Sequence, residues 1–342
     1  MSDEVEVSYP EDTMRERRDE SQVRKWVLID ANRLVVAAGF LLLVFGTLMA
    51  LHFFAPGTIQ KLNTTQAVSN VFGSVIIVVV TGVTLVLTIA QLVISREVGP
   101  LSDQRQQMTH SIAFRDDVGE MIEPPVSPPE PSAFLRELVA AVTARASTIE
   151  DAVEDDSQAA AELRKFAEKT VEHGEQVQED LAEEEFGTFE VIVAALNYNY
   201  SWKMYAAQLL DTVYGDDVPE EAEQALDEVV ELLSLFGPAR EHFKTLYFQW
   251  EVIELSKYML YTSMFALGLA AYMVLVFDPT RIAWTFLGAD GGFLLAATAF
   301  TLTLTPFGML LSSIMRMITV TKRTLASGPF ILRKTQAADA LH

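Results

Sequence analysis

Asn70, Ser74, Thr81, Thr84, Thr88, Gln91 and Ser95 recur through an otherwise apolar run, "SNVFGSVIIVVVTGVTLVLTIAQLVIS" (69–95). Their offsets are four, seven, three, four, three and four, and only Ile77 interrupts the alternation. That rhythm puts all seven on one face of a helix. Their hydroxyls and amides could line a path for water and ions, which makes them pore-lining candidates. The bland alternative is a packing seam, where small hydroxylated residues let membrane helices approach and bond their own preceding carbonyls. Asn70 and Gln91 favour water, since a full amide needs several partners. A second set, Thr298, Thr301, Thr305, Gly308 and Ser312, follows at three, four, three and four. It reads as a helix seam, with Pro306 as a hinge because proline removes one backbone bond and clashes with the preceding turn. In a ring of subunits the first stripe would face a shared axis. In a monomer it would face Thr298, Thr301 and Thr305.

Other chemistries have little support. There are no cysteines, so disulfides and thiolate sites are excluded. His52, His110, His173, His242 and His342 are scattered, with no metal-binding pair. No phosphate loop, nucleophile elbow or kinase signature occurs, and "TLASGPF" lacks the helix-opening context of a phosphate site. Residues 148–187 hold fourteen acids against Arg164, Lys165 and Lys169, yet no loop follows the ligand order of an EF-hand. The preferred reading is a solvated helix face. The expectation is a protein that is not an enzyme and has no catalytic, cofactor or metal site.

The elements that would position the stripes are membrane spans. Half of the 342 residues are hydrophobic while the net charge is −22, which fits apolar spans joined to an acidic aqueous part. Leu34–Phe54, Val71–Ile94, Tyr258–Phe277 and Phe293–Ile314 each approach the ~20 residues needed for the hydrocarbon core, and none contains Asp, Glu, Lys or Arg. The first span is long and lacks a small-residue cleavage site, so it does not read as a signal peptide. Lys and Arg cluster before the first span, after the second, before the third and after the fourth. The loops between spans one and two and between three and four hold only Lys61 and Arg281. That asymmetry predicts cytoplasmic termini and a cytoplasmic central region in the cell membrane. Trp250 and Trp284 flank the third span as interfacial anchors. The acid excess argues against nucleic acid as a partner and suits a salt-rich cytoplasm.

The expected fold class is all-α: a polytopic membrane protein of four transmembrane helices with a helical cytoplasmic domain between the second and third. Its parts are an N-terminal segment (1–33), a transmembrane hairpin (34–95), an acidic helical domain (96–257), a second hairpin (258–314) and a tail (315–342). Within the acidic domain, "IEPPVSPPEPS" (122–132) reads as a stiff polyproline linker. Ser132 is the expected cap of a first helix, and a second covers 157–185. A third carries Phe186, Phe189, Ile192, Val193, Leu196, Tyr200, Met204 and Ala207 at helical spacing. Pro219 opens a fourth that stops near Gly237-Pro238, and a last one runs from Ala239 into the third span. The aromatic run Tyr198, Tyr200, Trp202 and Tyr205 suits bundle packing. No β alternation is evident.

Two spans, a large helical insert, two more spans and inside termini resemble the bestrophin-type channel layout over residues 34–335. The resemblance implies a pentamer whose second span lines the pore and whose insert forms a cytoplasmic vestibule. Val78, Val79, Val80 and Leu85 stand where that family has an aromatic neck, so no ion preference is carried over. The threading is also similar to flagellar stator subunits, whose last two spans surround a partner helix. The segment "LLAATAFTLTLTPFG" (294–308) carries that likeness. The expected function is an oligomeric, channel-like pore. The alternatives are a membrane-anchored scaffold or signalling adaptor, or a stator-type subunit. Expected partners are the lipid bilayer, further copies of the chain and a basic cytoplasmic protein.

Overall fold

The computed structural model describes residues 32–54, 64–123, 125–153, 157–182 and 189–323. The basic residues before Arg33, Lys61, Phe186, several acids of 148–187 and the tail beyond Arg323 lie outside them.

Ten α-helices are found among the described residues: α1 (Arg33–Phe54), α2 (Thr65–Glu97), α3 (Leu101–Met121), α4 (Pro131–Ala152), α5 (Gln158–Ala182), α6 (Phe189–Asn197), α7 (Tyr200–Tyr214), α8 (Glu220–Leu275), α9 (Gly291–Thr303) and α10 (Thr305–Arg323). The expected absence of strands needs one correction. Thr285–Phe286 and Ala289–Asp290 form a short antiparallel hairpin, β1 and β2. Its two turn residues, Leu287 and Gly288, both have positive φ, as a two-residue turn matched to strand twist requires. So short a pair cannot show alternation in sequence.

Helices α1, α2 and α8 are each long and apolar enough to cross a membrane, and α9 with α10 makes a fourth candidate if that bent pair is one span. The chain divides into two compact units. One contains Gly99–Phe248; the other contains the described residues from Asn32 to Val98 together with Gln249–Val320.

In the first unit, α4 and α5 form an antiparallel hairpin. Leu135, Leu138, Val139, Val142, Ala146 and Ile149 of α4 are buried at helical spacing against Leu163, Phe166, Ala167, Val177 and Leu181 of α5. The opposite face of α5 presents Glu168, Glu172, Glu175 and Glu179 to solvent. At Gly174 the two helices approach closely, because a Cβ there would collide with the Thr143 hydroxyl. The cap of α4 is Glu130 rather than Ser132. The Glu130 carboxylate accepts from the Ser132 and Ala133 amides (3.1 and 2.7 Å), while Pro131 takes the first-turn place where no amide is needed. Burial pushes the Glu130 carboxyl up, but bonds from the Ser132 hydroxyl and these two amides outweigh it and hold it below its ordinary range.

Two further readings are corrected in this unit, beside one helix that the sequence pattern does not mark. Residues 101–121 form α3, which is exposed almost all round and so carries no apolar stripe. The Pro-rich segment packs on it: Arg115 donates to the Ser127 hydroxyl and carbonyl (3.0 and 2.6 Å), and Ser127 is buried. The single third helix is broken into α6 and α7 by an inverse γ-turn at Asn199, closed by the Tyr200 amide on the Tyr198 carbonyl (2.9 Å). In one helix, residues two apart point about 200° away from each other. The turn lets both Tyr198 and Tyr200 enter the same core. Finally, Gly237-Pro238 does not stop a helix. Helix α8 runs through it, and Gly237 is there because a Cβ would meet the Tyr200 ring at 2.8 Å.

Candidate functional site

The second unit holds both polar sets, and it separates them. Along α2, Val68, Phe72, Val75, Val79, Val86 and Ala90 are buried. Asn70, Ser74, Thr81, Thr84, Thr88, Gln91 and Ser95 are all exposed. Each stripe residue from Asn70 to Thr88 stands two positions from a buried one, and two positions on a helix is about 200°. The stripe therefore faces away from the other described helices of its own unit. It does not face Thr298, Thr301 and Thr305, contrary to the expectation for a single copy. The buried side of α2 is apolar: Val86 packs with Leu255 and Met259, Phe72 meets Phe300 edge-on at 6.3 Å, and Gly82 admits the Phe307 ring.

The stripe's hydroxyls are satisfied within the helix. Ser74, Thr81, Thr84 and Thr88 donate to the carbonyls of Asn70, Ile77, Val80 and Thr84 at 2.8–3.0 Å, and Ser95 to Leu92 at 2.8 Å. Asn70 Oδ1 accepts from Gln66 (3.0 Å). The Gln91 amide is different: among the described residues nothing bonds to it. An amide without a partner at membrane depth needs water or a neighbouring molecule.

The second set lies mostly inside the unit. Thr301, Pro306, Gly308 and Ser312 are buried, Thr305 is half-buried and Thr298 is exposed. Gly308 lies 3.4–3.6 Å, measured from an added Cβ, from Ala37 of α1, a small-residue approach of two helices. At Pro306 the candidate fourth span bends by 42°, as the missing amide predicts. The Leu302 carbonyl, which a residue-306 amide would have engaged, instead accepts from the Thr305 hydroxyl (2.7 Å) and shares the Leu304 amide with the Thr301 carbonyl. Leu304 N–H bonds Thr301 and Gly308 N–H bonds Leu304, so α10 starts afresh after the break.

Two polar anchors were not evident in the sequence. Arg33 at the start of α1 reaches the Glu251 and Glu254 carboxylates (3.3 and 2.6 Å) and lies over the Tyr258 ring. Glu251 is only 6% exposed, so this is a largely desolvated pair. No local spacing could reveal a partner 218 positions away. Before α9, Asp278 accepts from the hydroxyls of Thr280 and Thr65 (2.6 and 2.9 Å) and from Arg281 (3.1 Å). Those bonds, that of Thr280 foremost, hold its carboxyl below its ordinary range. Among the described residues, no group of three His, Asp or Glu is gathered as a metal site.

These features define a helical protein with three to four candidate membrane spans and a polar face on one of them. The chain belongs to the DUF7972 family, a family of unknown function whose model matches residues 1–342. No curated protein and no solved structure matches it.

Proposed function

We propose that the protein is an integral membrane protein that assembles from several copies of itself around helix α2, forming a channel-like pore. The supporting observation is the direction of the α2 stripe. Seven polar residues face away from the described helices of their own unit, and Gln91 among them has an amide that nothing in the described chain satisfies. A lipid-facing stripe would leave that amide in hydrocarbon, whereas a shared aqueous axis hydrates it. The set around Pro306 serves packing instead, holding α10 on α1 and giving the span a fixed bend. No charged residue is needed along a passive path. The bestrophin-type layout points the same way. The spans lie in the cell membrane, with the Gly99–Phe248 unit on the cytoplasmic side by the Lys/Arg asymmetry.

Native mass measurement of the purified protein tests the assembly, and ion flux through reconstituted vesicles tests the pore. A ring with flux altered by Thr84→Leu supports the reading; a monomer without flux overturns it. The exposed carboxylate row on α5 favours a second reading, a membrane-anchored adaptor for a basic cytoplasmic protein. In that case neutralising Glu168, Glu172, Glu175 and Glu179 abolishes capture of the partner and leaves assembly intact.

A further inference from the structure

The Gly99–Phe248 unit contains a cavity of about 330 Å³ between α3, the Pro-rich segment and α8. Its wall is aromatic: the Phe134 ring lies 6.2 Å from Phe114 and meets Phe243 edge-on at 6.0 Å. Pro128 and Pro129 close one side and Pro238 with Ala239 another. The size sits at the lower end of small-molecule sites, which are mostly apolar with a few placed polar groups.

Those polar groups can all donate a hydrogen bond, and Arg115 carries the charge among them. Arg115, His110 and His242 line the cavity with Ser111, and no carboxylate does. In a chain with 47 acids against 25 Lys and Arg, that is a local reversal of charge. Arg115 is also held in place. Its Nε and Nη2 are committed to Ser127, which fixes the plane of the guanidinium. Its Nη1 has no partner among the described residues, and no carboxylate pairs with it there. Asp116 and Glu120 line a separate hollow that also touches Arg115. A fixed guanidinium beside an aromatic wall is suited to a charge-assisted bond with an anion whose body stacks on the rings.

We propose that this cavity binds a small organic carboxylate with an aromatic body. The carboxylate engages Arg115 from the side that Ser127 leaves open, His110 and His242 supply further ring N–H donors, and the body lies against Phe114, Phe134 and Phe243. A cation finds no acceptor carboxylate in the wall, and a neutral analogue forgoes the charged bond.

The test uses the full chain in lipid nanodiscs and calorimetric titration with three probes of one shape: 2-naphthoate, 2-naphthamide and 2-naphthylmethylammonium. Naphthoate should bind about tenfold tighter than the other two, the scale of one charge-assisted bond. Arg115→Gln should bring naphthoate down to the amide's level. Because Arg115 also anchors the Pro-rich segment, two variants leave that anchor alone. Ser111→Trp, at an exposed α3 position on the cavity rim, should abolish naphthoate binding, and His242→Gln should weaken it severalfold. Equal binding of the three probes, or naphthoate binding unchanged by Ser111→Trp, overturns the proposal.

Discussion

The Thr305 hydroxyl donates to the Leu302 carbonyl at 2.7 Å, the acceptor that Pro306 leaves without its usual amide. A bend in an apolar span leaves backbone groups that water cannot reach, and a neighbouring hydroxyl can satisfy one of them. Thr305→Val keeps the shape and removes the donor. The variant should lose about 1 kcal/mol of stability, read as a lower melting temperature in detergent, while Thr305→Ser stays near the parent. Equal melting of Val and Ser variants would show that the hydroxyl does not support the bend.

Gly174 and Thr143 set the spacing of α4 and α5. Helix propensity alone favours Gly174→Ala by about 1 kcal/mol. The structure predicts the opposite sign, because the new methyl meets the Thr143 hydroxyl, itself bonded to the Val139 carbonyl at 2.9 Å. Gly174→Ala should lower the melting temperature, and adding Thr143→Ala should restore most of the loss. A stabilised single variant would contradict the close packing.

Arg33 and Glu251 make a pair whose removal should be asymmetric. Arg33→Gln leaves Glu251 buried and uncompensated, at a cost of about 3 kcal/mol. Arg33→Gln with Glu251→Gln should cost markedly less than the single change. Thermal melts of the two singles and the double form a cycle, and additive losses would show that the pair is not coupled.

Glu130 gives a pH dependence with a definite sign. Its carboxyl is held below its ordinary value in the folded chain, so its contribution is fully present above that ordinary value. The contribution fades as pH falls through the lowered folded value. Glu130→Gln should cost about 1 kcal/mol at neutral pH as a weakened cap. The gap between the two proteins' melting temperatures should narrow on acidification to about pH 3. A gap that widens at low pH would contradict the cap assignment.

How far the sequence carried these features depended on their range. The Pro306 bend was legible because one residue's missing amide causes it. The stripe of α2 was legible as a period, but not its direction. That direction depends on Phe72 and Val86 meeting Phe300 and Leu255, far along the chain. Gly237-Pro238 misled for the same reason. Its glycine answers to the Tyr200 ring rather than to a helix end, so a local stop signal was overridden by packing. Asn199 gave no punctuation at all, since the γ-turn there is imposed by two buried tyrosines. Helix α3 has no apolar period to read, because it is exposed on nearly every side.

A pore around α2 requires that its polar stripe face water shared between copies of the chain. With no native cysteine to mask, single cysteines can replace Thr81, Thr84, Thr88 and Gln91. Matched controls replace Val71, Val78, Leu85 and Ile89, which are also exposed but apolar and lie off the stripe's face. Reaction with a small charged thiol reagent in proteoliposomes reads water access at each position. The predicted result is fast modification at the four stripe positions and slow modification at the four controls. Slow modification at all eight positions would place the stripe against lipid or protein and contradict a shared aqueous axis.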